Sequence, residues 1–200
     1  MENIEISNLY VDPFDLFKEW YGVREKSGLE NYNAVALSTA GSNGRVSSRM
    51  VLLKKFDTVG FVFFTNYSSK KGLHLAQNPY ASMLFYWPEQ GRQVRIEGSV
   101  KKVSKEESDT YFNSRNHGHK LNALASDQSR EIPDKEYLVQ RYNELAEKYG
   151  DKAPRRPLNW GGYRLIPHLF EFWQEGKNRL HDRIEYCLQG GVWLKRRLAP

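Results

Sequence analysis

The sequence has little of what marks secreted, membrane or disulfide-stabilised proteins. Its 200 residues contain a single cysteine, Cys187, which excludes a disulfide framework and a zinc site built on cysteines. No apolar run approaches the length that crosses a bilayer. The acidic start, Met1 to Glu5, lacks the apolar segment of a secretory signal. These absences predict a protein of the reducing cytoplasm with no membrane partner.

The motifs of several common enzyme folds are missing as well. There is no Gly-x-Gly-x-x-Gly fingerprint, no Gly-Lys-Ser/Thr phosphate loop and no Gly-x-Ser-x-Gly nucleophile motif. His117 and His119 stand in a polar stretch without an acid or a cysteine at ligand spacing, so we expect no metal site. A doubly wound dinucleotide fold and a P-loop enzyme are therefore disfavoured.

What the chain does have is an aromatic-rich composition and an uneven distribution of positive charge. Aromatic residues make up 14%, enough for a folded core. The net charge of +6, from 30 basic and 24 acidic residues, suits a phosphorylated small molecule or nucleic acid. The segment 45–71 holds six basic residues and only one acid, Asp57. We therefore expect an anion near this segment, although a solvated basic face is the alternative.

Hydrophobic periodicity and turn residues predict mainly β-structure with flanking helices, an α+β class. Strands are expected at 34–40, 46–56, 61–65, 81–87, 93–103, 162–166, 169–174, 184–188 and 192–198. Helices are expected at about 12–28, 68–78, 104–115, 121–126 and 134–149. Short turns between successive strands favour antiparallel pairing. The prediction is one domain, 1–200, folded as a closed or split antiparallel β-barrel, with a helical insertion at 104–149 and C-terminal strands at 160–200.

Two clusters suit phosphate groups. A strand from Arg49 to Lys54 carries a cation at each end and apolar residues between them, so it could lie along a flat ligand and reach its phosphate. The segment from Thr65 to Lys71 places hydroxyls and two lysines at a helix N-terminus, which favours anions. Tyr111 and Arg115 are four residues apart on one helix face and could bind a second phosphate.

A third cluster lies near the C-terminus. Arg179, His181 and Arg183 alternate, so an extended chain would project them to one side, toward an anionic aromatic substrate. His181 could exchange protons near neutral pH. Phe172 and Trp173, just upstream, are better explained as core residues than as a cofactor platform.

This third cluster also carries a resemblance. Phe170-Glu171-Phe172-Trp173-Gln174, four residues and then Arg179-Leu180-His181-Asp182-Arg183 form a signature. The upstream segments Arg49-Met50-Val51-Leu52-Leu53-Lys54, Phe64-Thr65-Asn66, Arg92-Gln93-Val94, Gln128-Ser129 and Trp160-Gly161-Gly162 follow in a matching order. The chain, from about Asp12 to Pro200, thereby resembles the pyridoxine (pyridoxamine) 5′-phosphate oxidase family.

The resemblance implies a split-barrel homodimer with FMN in the groove between subunits. Family members oxidise pyridoxine or pyridoxamine 5′-phosphate to pyridoxal 5′-phosphate, by hydride transfer from C4′ to flavin N5 with O2 as the final acceptor. The implied FMN-binding residues are Arg49, Met50, Val51, Leu52, Leu53, Lys54, Phe64, Thr65, Lys70, Lys71, Gln93, Gln128, Ser129, Trp160 and Arg183. The implied substrate-binding residues are Lys54, Tyr111, Arg115, His119, Arg179, Leu180 and His181, of which Arg179 and His181 would be catalytic.

Three departures from the family pattern bear on the substrate. His119 stands where the family has a phosphate-binding serine, Lys70 stands where arginine is common, and no counterpart of an Arg-Arg-x-Tyr segment precedes Asp12. A different substrate on the same fold, such as a phenazine-biosynthetic intermediate, is therefore an alternative. A basic barrel that stacks nucleic-acid bases on Phe61, Phe63 and Phe64 is an alternative of another class.

Overall fold

The computed structural model describes residues 4–200, so the acidic start lies partly outside the described residues. Within this range the helices are α1 (Pro13–Glu25), α2 (Lys70–Gln77), α3 (Lys105–Ser114), α4 (His117–Ala125) and α5 (Lys135–Tyr149). The strands are β1 (Ala34–Ala40), β2 (Val46–Leu52), β3 (Lys55–Asp57), β4 (Gly60–Asn66), β5 (Tyr80–Trp87), β6 (Arg92–Lys102), β7 (Trp160–Gln174), β8 (Asp182–Gln189) and β9 (Val192–Arg197).

All nine strands belong to one antiparallel sheet, as the short turns predict. The order is β2-β1-β5-β6-β7-β4-β3, and β8 extends from β7 to β9. Strand β7 has three strand partners: residues 163–174 pair with β6, residues 160–165 with β4 and residues 169–174 with β8. The sheet curls until β2 comes near β4 without pairing to it. The result is a half-open barrel, and one edge of β2 has no strand partner.

Helix α1 fills the concave face of this sheet. Asp12 caps it by accepting from the Phe14 amide, and Pro13 occupies the first helical position, as the sequence predicts. Phe17 is fully buried, and its ring packs edge-on against Phe61 and Phe85 at centroid distances of 4.9 and 5.1 Å. Such aromatic burial is the largest apolar contribution available to a core of this size.

The outer helices begin where their capping residues predict. The side chains of Ser69, Ser104, Asn116 and Asp134 each accept a backbone N–H of the first turn that follows. Helix α5 contacts α4 and buries none of its residues fully. Among residues 4–200, no helix combines the length and the hydropathy that a membrane crossing requires.

The structure corrects three predicted boundaries. The strand predicted at 46–56 ends at Leu52, because the chain changes partners there: the Leu53 amide donates to Asn33 before β1, and the Lys54 amide donates to Val62 on β4. The strands predicted at 162–166 and 169–174 are one strand, β7. The register between β6 and β7 shifts beside Pro167 of β7: Gly98 pairs with Pro167 and Glu97 pairs with Leu169, so His168 is the extra residue of a bulge.

The helix predicted at 121–126 begins four residues earlier, at His117. Asn116 caps its first turn by accepting from the His119 amide at 2.9 Å. His117 and His119 are thus helical residues, ahead of the predicted start of this helix.

Candidate functional site

A cavity of about 660 Å³ lies at the gap between β2 and β4. Its walls come from β2, the end of β4, the start of α2, α3, the first turn of α4 and the start of β7. The lining residues are Arg49, Met50, Val51, Leu52, Lys54, Phe64, Thr65, Lys71, Tyr111, Ser114, Arg115, His119, Gln128 and Trp160. Four of them are Lys or Arg and none is Asp or Glu, so the cavity suits an anion.

Strand β2 contributes four consecutive residues, Arg49 to Leu52, to one wall. Alternate side chains of a strand point to opposite faces, so four in a row place the unpaired backbone edge beside the cavity. Arg49 is fixed from behind, because its Nη1 donates to the Leu37 carbonyl at 3.0 Å and to Thr39 Oγ1 at 2.8 Å. Burial lowers the pKa of Arg49 from its ordinary value.

Lys71 lies at the bottom of the cavity, in the first turn of α2. Its Nζ donates to Gln128 Oε1 at 2.7 Å, to Thr65 Oγ1 at 3.0 Å and to Ser69 Oγ at 3.2 Å. Burial, with the nearby charge of Arg49, lowers the pKa of Lys71 to about 8. A phosphate bound here would relieve the mutual repulsion of the two cations and meet the positive end of α2.

Three aromatic rings form the opposite wall. Phe64 and Tyr111 stack with centroids 3.9 Å apart, and the Trp160 ring lies nearly parallel to Tyr111, at 6°. The Arg115 guanidinium lies 4.8 Å from the Trp160 centroid, a cation–π contact. Its Nη1 is buried and finds no hydrogen-bond partner among residues 4–200, and burial lowers the pKa of Arg115. A buried, unpartnered guanidinium nitrogen at a cavity wall fits an anionic ligand atom.

Helix α3, which carries Tyr111 and ends at the capping residue Arg115, is fastened to the start of β7. Ser108 Oγ accepts from the Gly162 amide at 3.2 Å. A Cβ on Gly161 would lie 2.1 Å from the Tyr67 hydroxyl, so the close packing requires glycine there. The sequence order Trp160-Gly161-Gly162 therefore has a steric reason in addition to its place in the motif.

Several predicted cofactor residues lie outside this cavity. Leu53 packs in the core, Lys70 is exposed beside Lys71, and Ser129 is exposed beside Gln128. Gln93 and Arg183 lie on the convex face of the sheet, in register on either side of Trp173.

Arg183 belongs to a charged cluster on that convex face. Its Nε donates to Glu171 Oε1 at 2.8 Å, and Arg95 pairs with the other Glu171 oxygen. Burial opposes ionisation of Glu171, but hydrogen bonds from Arg183 and Arg95 bring its pKa below the ordinary value. The pairing orients the Arg183 guanidinium on the open face of the sheet.

The segment from Arg179 to His181 differs from its prediction as an extended chain. Lys177–Arg179 form a 3-10 turn, and Asn178 and Arg179 have positive φ of 56° and 64°. The turn bends the chain into β8, so the three alternating side chains do not share one face. The His181 ring lies 4.6 Å from Trp173, while Leu180 is 73% exposed. The Gly176 amide donates to His181 Nδ1 at 3.2 Å, so Nδ1 is the accepting nitrogen of this ring.

Sequence reasoning missed residues that support the cavity without matching a motif. Ser114 lines it, Thr39 holds Arg49, and Arg156 contacts α3 and Trp160 from behind. Ser114 adjoins Arg115 on the predicted helix and could have been found from it. The other two act through the tertiary fold and leave no signal in spacing.

Comparison with known proteins assigns the chain to a family. Residues 24–149 match the family model described as pyridoxamine 5′-phosphate oxidase. Residues 160–200 match the model described as the pyridoxine 5′-phosphate oxidase C-terminal dimerisation region. The chain belongs to the pyridoxamine 5′-phosphate oxidase family.

Individual relatives agree with this membership. The chain is 50% identical over 199 residues to the pyridoxine/pyridoxamine 5′-phosphate oxidase of Paraburkholderia phymatum, covering 99% of this chain and 93% of that protein. It is 49% identical over 195 residues to the oxidase of the same name from Cupriavidus pinatubonensis, covering 97% and 92%. These alignments span nearly the full length, so the family's two regions occur here in one chain.

Solved structures confirm the split-barrel fold of this oxidase-family chain. PhzG from Burkholderia lata, solved with tetrahydrophenazine-1-carboxylic acid, superimposes with a TM-score of 0.93 at 34% identity, covering 100% of this chain and 98% of that one. An FMN-binding, pyridoxamine 5′-phosphate oxidase-related protein from Nostoc punctiforme gives 0.74 at 16% identity, covering 96% and 99%. The latter supports the fold alone.

Proposed function

We propose that this protein is an FMN-dependent oxidase of the cytoplasm that converts pyridoxamine or pyridoxine 5′-phosphate to pyridoxal 5′-phosphate, with O2 as the electron acceptor. The observation that carries the proposal is the acid-free cavity with four cations, in a chain about half identical to oxidases of that name. The buried, unpartnered Nη1 of Arg115 fits a phosphorylated ligand in particular.

The cavity residues fit FMN in two ways. Arg49 and Lys71, with the Thr65 and Gln128 groups around Lys71, offer a buried cationic site for the phosphate. The unpaired edge of β2 offers backbone N–H and C=O groups to the polar edge of a flat ring system. Bound FMN supplies the hydride acceptor of the reaction. The protein's own contribution is to hold the two ring systems in contact and to keep water from the reacting carbon.

The opposite wall would bind the substrate phosphate. Lys54 Nζ lies 5.8 Å from the Tyr111 ring centroid, and Arg115 and His119 line the same part of the cavity. A phosphate dianion there would give the Arg115 Nη1 its missing partner. His119 can donate to phosphate in the place of the family's serine.

The remaining predicted residues require a second copy of the chain. Gln93, Arg179, Leu180, His181 and Arg183 are absent from the lining of this chain's own cavity. A homodimer formed through the convex face of the sheet would bring one chain's convex-face residues toward the cavity of its partner. Large apolar side chains exposed on that face support this arrangement: Met50 is 63% exposed and Tyr86 is 61% exposed. In this proposal the whole chain acts as one domain.

In the assembled site Arg179 and His181 would contact the substrate ring. Arg179 would orient the substrate and stabilise charge that develops near C4′. His181 would act as a hydrogen-bond donor through Nε2, because its Nδ1 already accepts from Gly176.

The first test is a visible spectrum of the purified protein, followed by addition of pyridoxamine 5′-phosphate in air. Flavin absorption, formation of pyridoxal 5′-phosphate and release of hydrogen peroxide are expected together. A colourless protein that fails to bind added FMN would contradict the cofactor assignment. Flavin absorption without product would contradict the substrate assignment.

A phenazine-type substrate is the second candidate. It is favoured by the TM-score of 0.93 to PhzG and by His119 at the serine position. Parallel assays with pyridoxamine 5′-phosphate and a reduced phenazine carboxylic acid separate the two, since a carboxylated tricycle and a phosphorylated pyridine make different demands on Arg115. Faster flavin reduction by the phenazine than by pyridoxamine 5′-phosphate would make the phenazine the preferred substrate.

A further inference from the structure

Arg156 lies behind the cavity wall and connects two of its elements. Its side chain is only 9% exposed, and it is absent from the cavity lining. Nε donates to Asp109 Oδ1 on α3 at 2.6 Å, and Nη1 donates to the Trp160 carbonyl at the start of β7 at 2.5 Å. One guanidinium thus joins the helix that carries Tyr111, and that Arg115 caps, to the strand that carries Trp160.

The two partners of Arg156 are not held equally well by the rest of the fold. Trp160 is anchored by the sheet, because it pairs with Asn66 in the β4–β7 ladder. Helix α3 pairs with no strand, so its position on β7 depends on side chains: buried Phe112 packs on Trp160 at 5.2 Å, and two polar links, Ser108 to Gly162 and Asp109 to Arg156, set its register. Loss of the Arg156 link would therefore move α3 and leave Trp160 in place.

A small movement of α3 would act on the phosphate-binding wall. Arg115 is six residues beyond Asp109, and its guanidinium stacks on Trp160 at 4.8 Å. Tyr111, two residues beyond Asp109, stacks on Phe64 at 3.9 Å. One contact joins a residue of α3 to the sheet, and the other joins the residue that caps the C-terminus of α3 to the sheet. A helix displacement would therefore misalign the donors for phosphate while leaving Arg49 and Lys71 unchanged.

We propose that Arg156 is a positioning residue that sets the affinity for the substrate phosphate by holding α3 in register on β7. The inference rests on the proposed function in one respect: it takes Tyr111 and Arg115 as ligands of the substrate phosphate. Arg156 does not line the cavity, so it would contact neither FMN nor the substrate. Its effect is therefore on the binding of the substrate phosphate and not on the chemical step.

Arg156→Lys tests the positioning role directly. The substitution keeps the positive charge but removes the two separate N–H donors that reach Asp109 and the Trp160 carbonyl. A single ammonium can pair with Asp109, but it lacks the planar pair of donors that reaches the Trp160 carbonyl at the same time. We expect the KM for pyridoxamine 5′-phosphate to rise roughly tenfold, with kcat and the FMN Kd within about twofold of wild type. Asp109→Asn, which weakens the other arm, should move KM in the same direction.

The matched control is Arg24→Lys. Arg24 is similarly buried, at 14% side-chain exposure, and pairs with one carboxylate, Glu89, at 2.9 Å away from the cavity. Its KM and kcat should both stay at wild-type values. A rise in KM for Arg24→Lys equal to that for Arg156→Lys would show a general loss of stability and overturn the proposal. An unchanged KM in both Arg156→Lys and Asp109→Asn would overturn it as well.

A second readout separates this inference from the proposed function. Inorganic phosphate is titrated into the FMN-loaded proteins, and its binding is followed by the change in flavin absorption or by calorimetry. If wild type binds phosphate without oxidising pyridoxamine 5′-phosphate, the proposed function fails, and a roughly tenfold weaker phosphate Kd in Arg156→Lys still supports the inference. If phosphate binds equally to wild type and to Arg156→Lys, the positioning role is refuted whatever the substrate.

Discussion

Lys71 should make FMN binding sensitive to pH above neutrality. Its pKa of about 8 in the free protein reflects burial and the charge of Arg49. A bound phosphate dianion stabilises the protonated amine and raises that pKa, so binding is coupled to proton uptake by Lys71. The sign follows from this linkage: the complex retains a proton that the free protein loses above pH 8, and affinity must fall as the pH rises.

The magnitude follows from the same pKa. Lys71 is about 90% protonated at pH 7 and about 10% protonated at pH 9. If only the protonated form binds FMN tightly, the apparent Kd rises about tenfold over this range. The ligand contributes little to the change, because the second pKa of a phosphate monoester is near 6 and the dianion predominates throughout.

The assay is a titration of FMN into the apoprotein at several pH values, followed by quenching of flavin fluorescence. The matched variant is Lys71→Arg, whose guanidinium stays protonated up to pH 9 and beyond. We expect a flat profile for the variant, even if its affinity at pH 7 is lower. A wild-type Kd that is constant from pH 7 to 9 would refute the reasoning, and so would an equal slope in the arginine variant.

Three further predictions concern catalysis, the hydrophobic core and the close contact between Gly161 and Tyr67. Arg179→Ala should lower the rate of anaerobic flavin reduction by pyridoxamine 5′-phosphate at least about tenfold with the flavin-to-protein ratio unchanged, and an unchanged rate would show that Arg179 is not catalytic. Phe17→Ala removes a fully buried ring and should lower the free energy of unfolding in urea by about 3–5 kcal/mol, whereas a loss below about 1 kcal/mol would contradict its central position. Gly161→Ala places a Cβ 2.1 Å from the Tyr67 hydroxyl and should cost about 1–3 kcal/mol in the same assay; adding Tyr67→Phe should recover part of the loss, and no recovery would exclude this clash.

The local elements of the fold could be predicted from the sequence because their signals are local. Asp12-Pro13 fixes the start of α1, and Gly190-Gly191 takes the two positive φ values, 57° and 83°, that join β8 to β9. Pro167 is the reason why two strands were predicted where β7 is continuous. Proline cannot donate to the ladder, but this effect is confined to its own position. The compensation is distant: Gly98 on β6 lies opposite Pro167, and a Cβ there would be 2.2 Å from the Ile166 carbonyl.

The candidate site was predictable only in part, for a similar reason. The cationic segment 45–71 pointed to an anion, and the cavity does contain Arg49, Lys54 and Lys71. The approach of α3 to β7 depends on α3 itself, on Arg156 and on the start of β7. Residue spacing in the sequence cannot predict contacts between such separate segments. The link that Arg156 makes between Asp109 and the Trp160 carbonyl can be found only in the tertiary structure, for the same reason.

The position of α1 has a consequence for how the protein folds during synthesis. The Phe14 ring packs on Phe170 at 5.2 Å and Trp20 packs on Phe172 at 5.3 Å, so α1 docks against a strand made about 150 residues later. Phe17 can meet Phe61 and Phe85 earlier, but the part of α1 that packs on Phe170 and Phe172 has no native surface to cover it until β7 is made. Nascent chains that stall before β7 should therefore expose this helix, bind chaperones that recognise apolar segments, and be degraded more readily than the completed chain.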